Sequence, residues 1–142
     1  MAVDRTSGDR SELYIGLMSG TSLDGVDAIL ADFSSPPPRV LAHAHRPFAQ
    51  DLRAELLALT AAGANEIERS GAAAQRLVDV YAHCVADVLQ RADRAPADIG
   101  AIGAHGQTVR HRPEAGYSLQ LNAPALLAEL TRAVRRATPR PL

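Results

Sequence analysis

The stretch with the most evident chemistry is Ser19-Gly20-Thr21-Ser22-Leu23-Asp24-Gly25-Val26-Asp27. It packs two glycines, three hydroxyls and two carboxylates into nine residues. Glycine lets a backbone turn tightly and lie close to a ligand. Successive N–H groups in such a turn form a concave nest for anions. Hydroxyls add short donors, and Asp24 and Asp27 suit a Mg²⁺ held through water beside a nucleotide phosphate. The competing reading is an ordinary turn rich in Gly, Ser and Thr. Two details favour a ligand loop. It is longer than the two residues a tight hairpin needs, and Asp27 interrupts an otherwise apolar run.

Apolar runs flank this loop, Leu13 to Met18 before it and Val26 to Phe33 after it, which predicts a β-hairpin. Ser34-Ser35-Pro36-Pro37-Pro38 is a turn, because proline cannot sit inside a sheet ladder. Arg39 to His45 follows as a third strand, with Val40, Ala42 and Ala44 on one face and Leu41, His43 and His45 on the other. His43 and His45 have no third ligand at a metal-site spacing, so a solvated face is the better reading. Leu52, Leu56 and Leu59 predict a helix over Asp51 to Ala62. Asn65 and Glu68 resemble a capping box for a long helix reaching about Ala92, with Ala74, Leu77, Val78, Tyr81, Val85 and Val88 as its apolar stripe. Cys84 adjoins that stripe as inert packing. Ile99 to Ala104 is a buried strand, and strand, helix, strand implies a parallel crossover. Ligands gather at the carboxyl ends of such strands, where His105-Gly106-Gln107-Thr108 stands. Tyr117 to Leu121 is another short strand, and Asn122 is placed to cap a helix starting near Pro124.

Gly16 to Phe33, GLMSGTSLDGVDAILADF, resembles the N-terminal phosphate-binding hairpin of the anhydro-N-acetylmuramic acid kinases, of the sugar kinase/Hsp70/actin superfamily. Ile102 to Pro113, IGAHGQTVRHRP, resembles that family's next signature, and together the resemblance covers Leu13 to Thr131. It implies an α/β fold: a ribonuclease H-like mixed sheet with flanking helices, the incomplete first lobe of an actin/hexokinase-type ATPase. It implies ATP and Mg²⁺ as cofactors, with Gly20, Thr21, Ser22, Leu23, Asp24, Gly25, Val26 and Asp27 binding the nucleotide. It makes His105, Gln107 and Thr108 sugar contacts, since imidazole, amide and hydroxyl suit ring hydroxyls and an acetamido group; the alternative is a polar turn. Arg110 and Arg112 fit either a substrate carboxylate or a solvated basic turn, and the solvated turn is preferred. The implied reaction opens 1,6-anhydro-N-acetylmuramic acid with water and phosphorylates it to N-acetylmuramic acid 6-phosphate, in cell-wall recycling. No catalytic residue and no metal-ligating set is assigned within the chain. Its partner is a small amino sugar, and the full-length form is a possible homodimer.

Composition narrows the rest. All 15 basic residues are arginine, which excludes a Walker A lysine or a Schiff-base lysine within this chain. A net charge of −1 and 4% aromatics argue against nucleic acid and anionic membrane as partners. The chain has one cysteine, no apolar run of membrane-spanning length and a polar N-terminus, so the cytoplasm is the expected compartment. Residues 1–12 are expected as a disordered tail, residues 13–131 as the kinase lobe and residues 132–142 as an atypical tail. Two features depart from the family. Asn122-Ala123 replaces a Gly-Asp pair, and the last eleven residues carry four arginines and two prolines instead of an apolar strand. The expectation is a truncated or frameshifted chain, inactive alone; the alternatives are a non-catalytic nucleotide-binding module or another sugar kinase. A sheet lacking its last strand predicts marginal stability and aggregation. A cooperative thermal melt of soluble monomer counts against that expectation.

Overall fold

The structure, a computed structural model, describes residues 11–131. The expectations for residues 1–10 and 132–142 lie outside the described residues. Six strands and three helices follow in order: β1 (Leu13–Met18), β2 (Gly25–Asp32), β3 (Arg39–Pro47), α1 (Gln50–Ala58), α2 (Glu66–Ala92), β4 (Ala101–Ala104), β5 (Gln107–Arg112), β6 (Tyr117–Leu121) and α3 (Pro124–Thr131). The architecture is mixed α/β. β3-β2-β1-β4 form one sheet, and β5-β6 a separate two-stranded ribbon.

The expected hairpin is present, with β1 antiparallel to β2 from Leu13 opposite Asp32 to Met18 opposite Asp27. β4 lies parallel to β1, pairing Tyr14 with Ala101 and Leu17 with Ala104. The helices between β3 and β4 make the crossover that parallel pairing demands. α2 packs on β2 and β3 and against α3. Its predicted stripe is the core: Ala74, Leu77, Val78, Tyr81, Val85 and Val88 are all buried, facing Ile15, Leu17, Val26, Ala28 and Leu30 from the sheet. Each such aliphatic side chain contributes roughly 1.5–3 kcal/mol by leaving water.

Several expectations are corrected. α1 ends at Ala58 instead of Ala62, and in the turn beyond it Thr60 N–H and Ala61 N–H donate back to the Leu57 and Ala58 carbonyls at the helix end. Asn65 makes no side-chain cap; it has φ 55°, in the left-handed region, so the capping box does not form. A register shift opposite Leu30 and Ala31 leaves Leu41 as an extra residue in β3. That bulge turns Val40 outward to 64% exposure, away from the face it was expected to share with Ala42 and Ala44. β5 was not foreseen; the turn expected there is a strand bulged between Thr108 and Arg110. Asn122 stands one residue before the cap of α3. Ala123 supplies the carbonyl bonded by Leu127 N–H, while the Asn122 side chain donates to the Ala104 carbonyl at 3.1 Å and accepts from Ala123 N–H. Ser11 and Glu12 belong to the fold: the Ser11 hydroxyl donates to the Asp98 carbonyl, and Phe33 N–H donates to the Glu12 carbonyl at 2.9 Å.

Cys84 is fully buried, and its thiol donates toward the Val26 and Ala44 carbonyls. Burial pushes it up to about 11, consistent with the inert role expected of it. Native protein at pH 8 is therefore expected not to react with a thiol-specific reagent until urea unfolds it. Leu77→Ala is expected to lower unfolding free energy by about 2–5 kcal/mol through the cavity it leaves. Urea titration monitored by circular dichroism, with thiol labelling on the same samples, checks both.

Candidate functional site

The carboxyl ends of β1 and β4 lie side by side because the two strands are parallel neighbours. Each opens into one of the two loops singled out by sequence. The glycine- and hydroxyl-rich loop 19–24 leaves β1, and His105-Gly106 leaves β4. His105 N–H donates to the Leu17 carbonyl at 3.1 Å, which fixes the second loop against the root of the first.

Three polar contacts then tie the loops to each other and to α2. The Ser19 hydroxyl donates to the Gly106 carbonyl at 3.2 Å. The Tyr81 phenol lies 3.3 Å from Ser19 Oγ; since the serine proton is committed to Gly106, the phenol donates. Gln107 Nε2 donates to the Gly20 carbonyl at 3.3 Å. Burial pushes the Tyr81 phenol up, so it remains a neutral donor at neutral pH. Gly106 has φ +79°, and a Cβ there would sit 2.5 Å from the Leu121 carbonyl oxygen, so only glycine fits. Gly25 is held as strictly, with a virtual Cβ 2.2 Å from the Arg46 carbonyl oxygen.

Within the first loop, Leu23 N–H closes a turn onto the Gly20 carbonyl at 3.2 Å, with Leu23 at φ 54°. Arg53 Nε donates to the Leu23 carbonyl at 3.0 Å, and Phe48 N–H to the Asp24 carbonyl at 3.1 Å. The Gly20, Leu23 and Asp24 carbonyls are thus spent within the fold. Thr21, Ser22 and Asp24 are exposed, and the N–H groups of Thr21 and Ser22 form no hydrogen bond among the described residues. Leu23 and Val26 are core residues, so these two predicted site positions face inward as anchors.

Asp24 and Asp27 have separate partners. Asp24 accepts the Ser22 hydroxyl at 3.0 Å. Asp27 lies across from His45, and its Oδ1 contacts His43 Nε2 at 2.9 Å and His45 Nδ1 at 3.2 Å. The face expected to be merely solvated therefore carries a cross-strand cluster. The hydrogen bond from His43, then that from His45, holds the Asp27 carboxyl below its ordinary value. A depressed carboxylate stabilises the fold above its unfolded value, and that contribution fades as pH falls through the lowered one. Among the described residues no group of three ligands is arranged to hold a metal ion.

The second loop is split in role. His105 is exposed and donates Nδ1–H to the Gly106 carbonyl at 3.0 Å, which leaves Nε2 as an outward acceptor. Gln107 is 1% exposed, and its Oε1 is buried without a partner among the described residues. Thr108 is half-buried on β5. Arg110 is not solvated as expected, for its partly buried guanidinium pairs with Glu66. Ser19 and Tyr81 were not among the predicted site residues. The signal for Tyr81 was a phenol in an otherwise aliphatic stripe, since a buried hydroxyl requires a partner.

Residues 12–137 match the family model described as anhydro-N-acetylmuramic acid kinase. The chain belongs to the anhydro-N-acetylmuramic acid kinase family. It is 59% identical over 125 residues to a protein of that name from Albidiferax ferrireducens, covering 85% of this chain and 32% of the relative. It is 59% identical over 118 residues to one from Bordetella pertussis, covering 83% and 31%. A Cupriavidus pinatubonensis protein of the same name is 55% identical over 130 residues, covering 89% and 34%. The chain thus spans about a third of the length of these kinases.

Tyr81→Phe is expected to keep the fold while loosening the junction, at a cost of about 1 kcal/mol for one hydrogen bond. Hydrogen exchange is expected to rise in both loops and stay unchanged in β2 and β3. Equal acceleration across the whole sheet would show that Tyr81 acts only through global stability.

Proposed function

We propose that this chain supplies the phosphate-binding and sugar-facing edge of an ATP-dependent kinase. The reaction opens 1,6-anhydro-N-acetylmuramic acid with water and phosphorylates the freed C6 oxygen, giving N-acetylmuramic acid 6-phosphate. Family membership supports the kinase reading. The single observation that carries the site is the junction of the two loops by Ser19, Gly106, Gln107 and Gly20. We read the mixed sheet as the first part of a ribonuclease H-like lobe, since β3-β2-β1-β4 with β4 parallel to β1 suits that half-fold.

In this reading the N–H groups and hydroxyls of Thr21 and Ser22 bind phosphate oxygens of ATP. The outward N–H groups of Thr21 and Ser22, unpartnered among the described residues, fit that role, and the Ser22 hydroxyl would exchange its bond to Asp24 for one to phosphate. Gly20, Leu23, Gly25 and Val26 shape and anchor the loop without touching the nucleotide through side chains. Bound Mg²⁺ neutralises charge on the phosphate oxygens. Asp24, exposed on the loop, would hold it through water. Asp27 sets the base of the loop through its histidine partners. His105 Nε2 and Thr108 face the amino sugar as hydrogen-bonding groups, while Gln107 holds the Gly20 carbonyl.

Water adds across the anhydro bridge: its oxygen joins C1, the C1–O6 bond breaks, and O6 takes the γ-phosphoryl group as the bond to the β–γ bridging oxygen breaks and ADP leaves. A base must accept the water proton, and none of the described carboxylates is assigned to it. A second reading is a nucleotide-binding module without turnover, since the described residues offer a phosphate-sized loop with outward N–H groups and no carboxylate assigned as base. Calorimetric titration with a non-hydrolysable ATP analogue and Mg²⁺ tests the phosphate loop. Binding is expected, and Gly20→Val with Ser22→Ala is expected to weaken it at least tenfold. Phosphorylation of the anhydro sugar, compared with N-acetylglucosamine, separates the proposed kinase from another sugar kinase. Binding without phosphorylation of either sugar identifies the module.

A further inference from the structure

Four groups form one hydrogen-bonded line from the core to the surface. Tyr81 on α2 is fully buried, and its phenol lies 3.3 Å from Ser19 Oγ. The buried Ser19 hydroxyl donates to the Gly106 carbonyl at 3.2 Å. That same carbonyl faces Nδ1 of His105 at 3.0 Å. The line ends in solvent, because His105 is exposed and its Nε2 has no partner among the described residues.

The carbonyl sets the direction of every bond in the line. A carbonyl oxygen only accepts, and it has two lone pairs. Ser19 and His105 take one each. The imidazole must therefore carry its proton on Nδ1, which leaves a lone pair on Nε2 while the ring is neutral. The carbonyl itself needs support. It belongs to a glycine at φ +79°, the residue type whose backbone rotates most freely. The fixed donor that holds it is Ser19, and Ser19 is held in turn by a phenol anchored in the core.

We propose that Tyr81 and Ser19 are positioning residues for His105: they hold the Gly106 carbonyl, and that carbonyl keeps the imidazole in its Nδ1–H form with Nε2 presented outward as an acceptor. The group that meets His105 is then a neutral donor, a hydroxyl or an amide N–H. A phosphate or carboxylate oxygen would set lone pair against lone pair and is rejected. The neighbouring loop has the opposite polarity, since the outward N–H groups of Thr21 and Ser22 suit an anion. One buried junction thus sorts two kinds of ligand group between two adjacent loops. Assigning the donor to an amino sugar rests on the function proposed above; the tautomer does not.

Long-range ¹H–¹⁵N correlation spectra of the labelled chain at pH 8 read the tautomer directly. His105 is expected in the Nδ1–H form. His83, whose Nδ1 lies 2.7 Å from the Asp79 carbonyl on the exposed side of α2, is the internal standard. Tyr81→Phe and Ser19→Ala are each expected to raise the Nε2–H share of His105 about threefold or more, the equivalent of part of one hydrogen bond, while His83 stays as it was. A merely structural loosening would speed hydrogen exchange in both loops and leave the tautomer unmoved. Circular dichroism verifies that each variant is folded, and Tyr81→Phe, which keeps the buried ring, carries the test if Ser19→Ala does not fold. Two results overturn the inference: His105 in the Nε2–H form in the native chain, or an Nδ1–H share unchanged in either folded variant. Neither bears on the nucleotide titration, and failure of that titration would leave the tautomer standing.

Discussion

The packing of α2 against the inner face of the sheet is the constraint on which everything else depends. Its apolar stripe removes Leu77, Val78, Val85 and Val88 from water together with the inward residues of β1 and β2. With no tryptophan and two phenylalanines in the chain, aliphatic interdigitation supplies most of that core. The same helix carries Tyr81, whose hydroxyl emerges at the end of the sheet where both loops begin. Core formation and site organisation are thus one event: the helix cannot seat without bringing a donor to Ser19.

A buried polar junction is stable only when its members are satisfied, because low dielectric raises the cost of each orphan group. Ser19, Tyr81 and Gly106 satisfy one another. Gln107 is satisfied through Nε2 and left open at Oε1. On the outer face the balance is different. Asp27 and its two histidines remain half in solvent, so their pairing sets local charge more than stability. The ion pairs Arg46–Asp87 and Arg69–Glu55 tie β3 to α2 and α2 to α1 at the partly exposed margin of the core.

The elements legible in the sequence were those with strong periodicity. The α2 stripe and the β1–β2 hairpin were readable because burial on one face imposes a 3.6- or two-residue repeat. β5 was not readable: its bulge at Thr108 to Arg110 breaks alternation, and its arginines disguise a strand half-covered by the core. The Asn65 cap failed because a side chain able to cap also tolerates the left-handed backbone, and local geometry chose the latter. The outward turn of Val40 followed from one extra residue, which residue types alone do not reveal.

By itself the sequence determined the chemistry on offer: a glycine- and hydroxyl-rich loop, a second loop with imidazole, amide and hydroxyl, no lysine, and the motifs of a kinase family. Those are properties of residue type and order. Only the tertiary structure decided which groups stay exposed and which hold the fold. It turned Leu23 and Val26 inward, set Gln107 to clasp Gly20, assigned Asp27 to two histidines, and brought Tyr81 from α2 onto Ser19. The reason is that parallel pairing of β1 with β4 joins segments that lie far apart in the chain. That pairing arises from core burial over the whole lobe, which no local run of residues encodes.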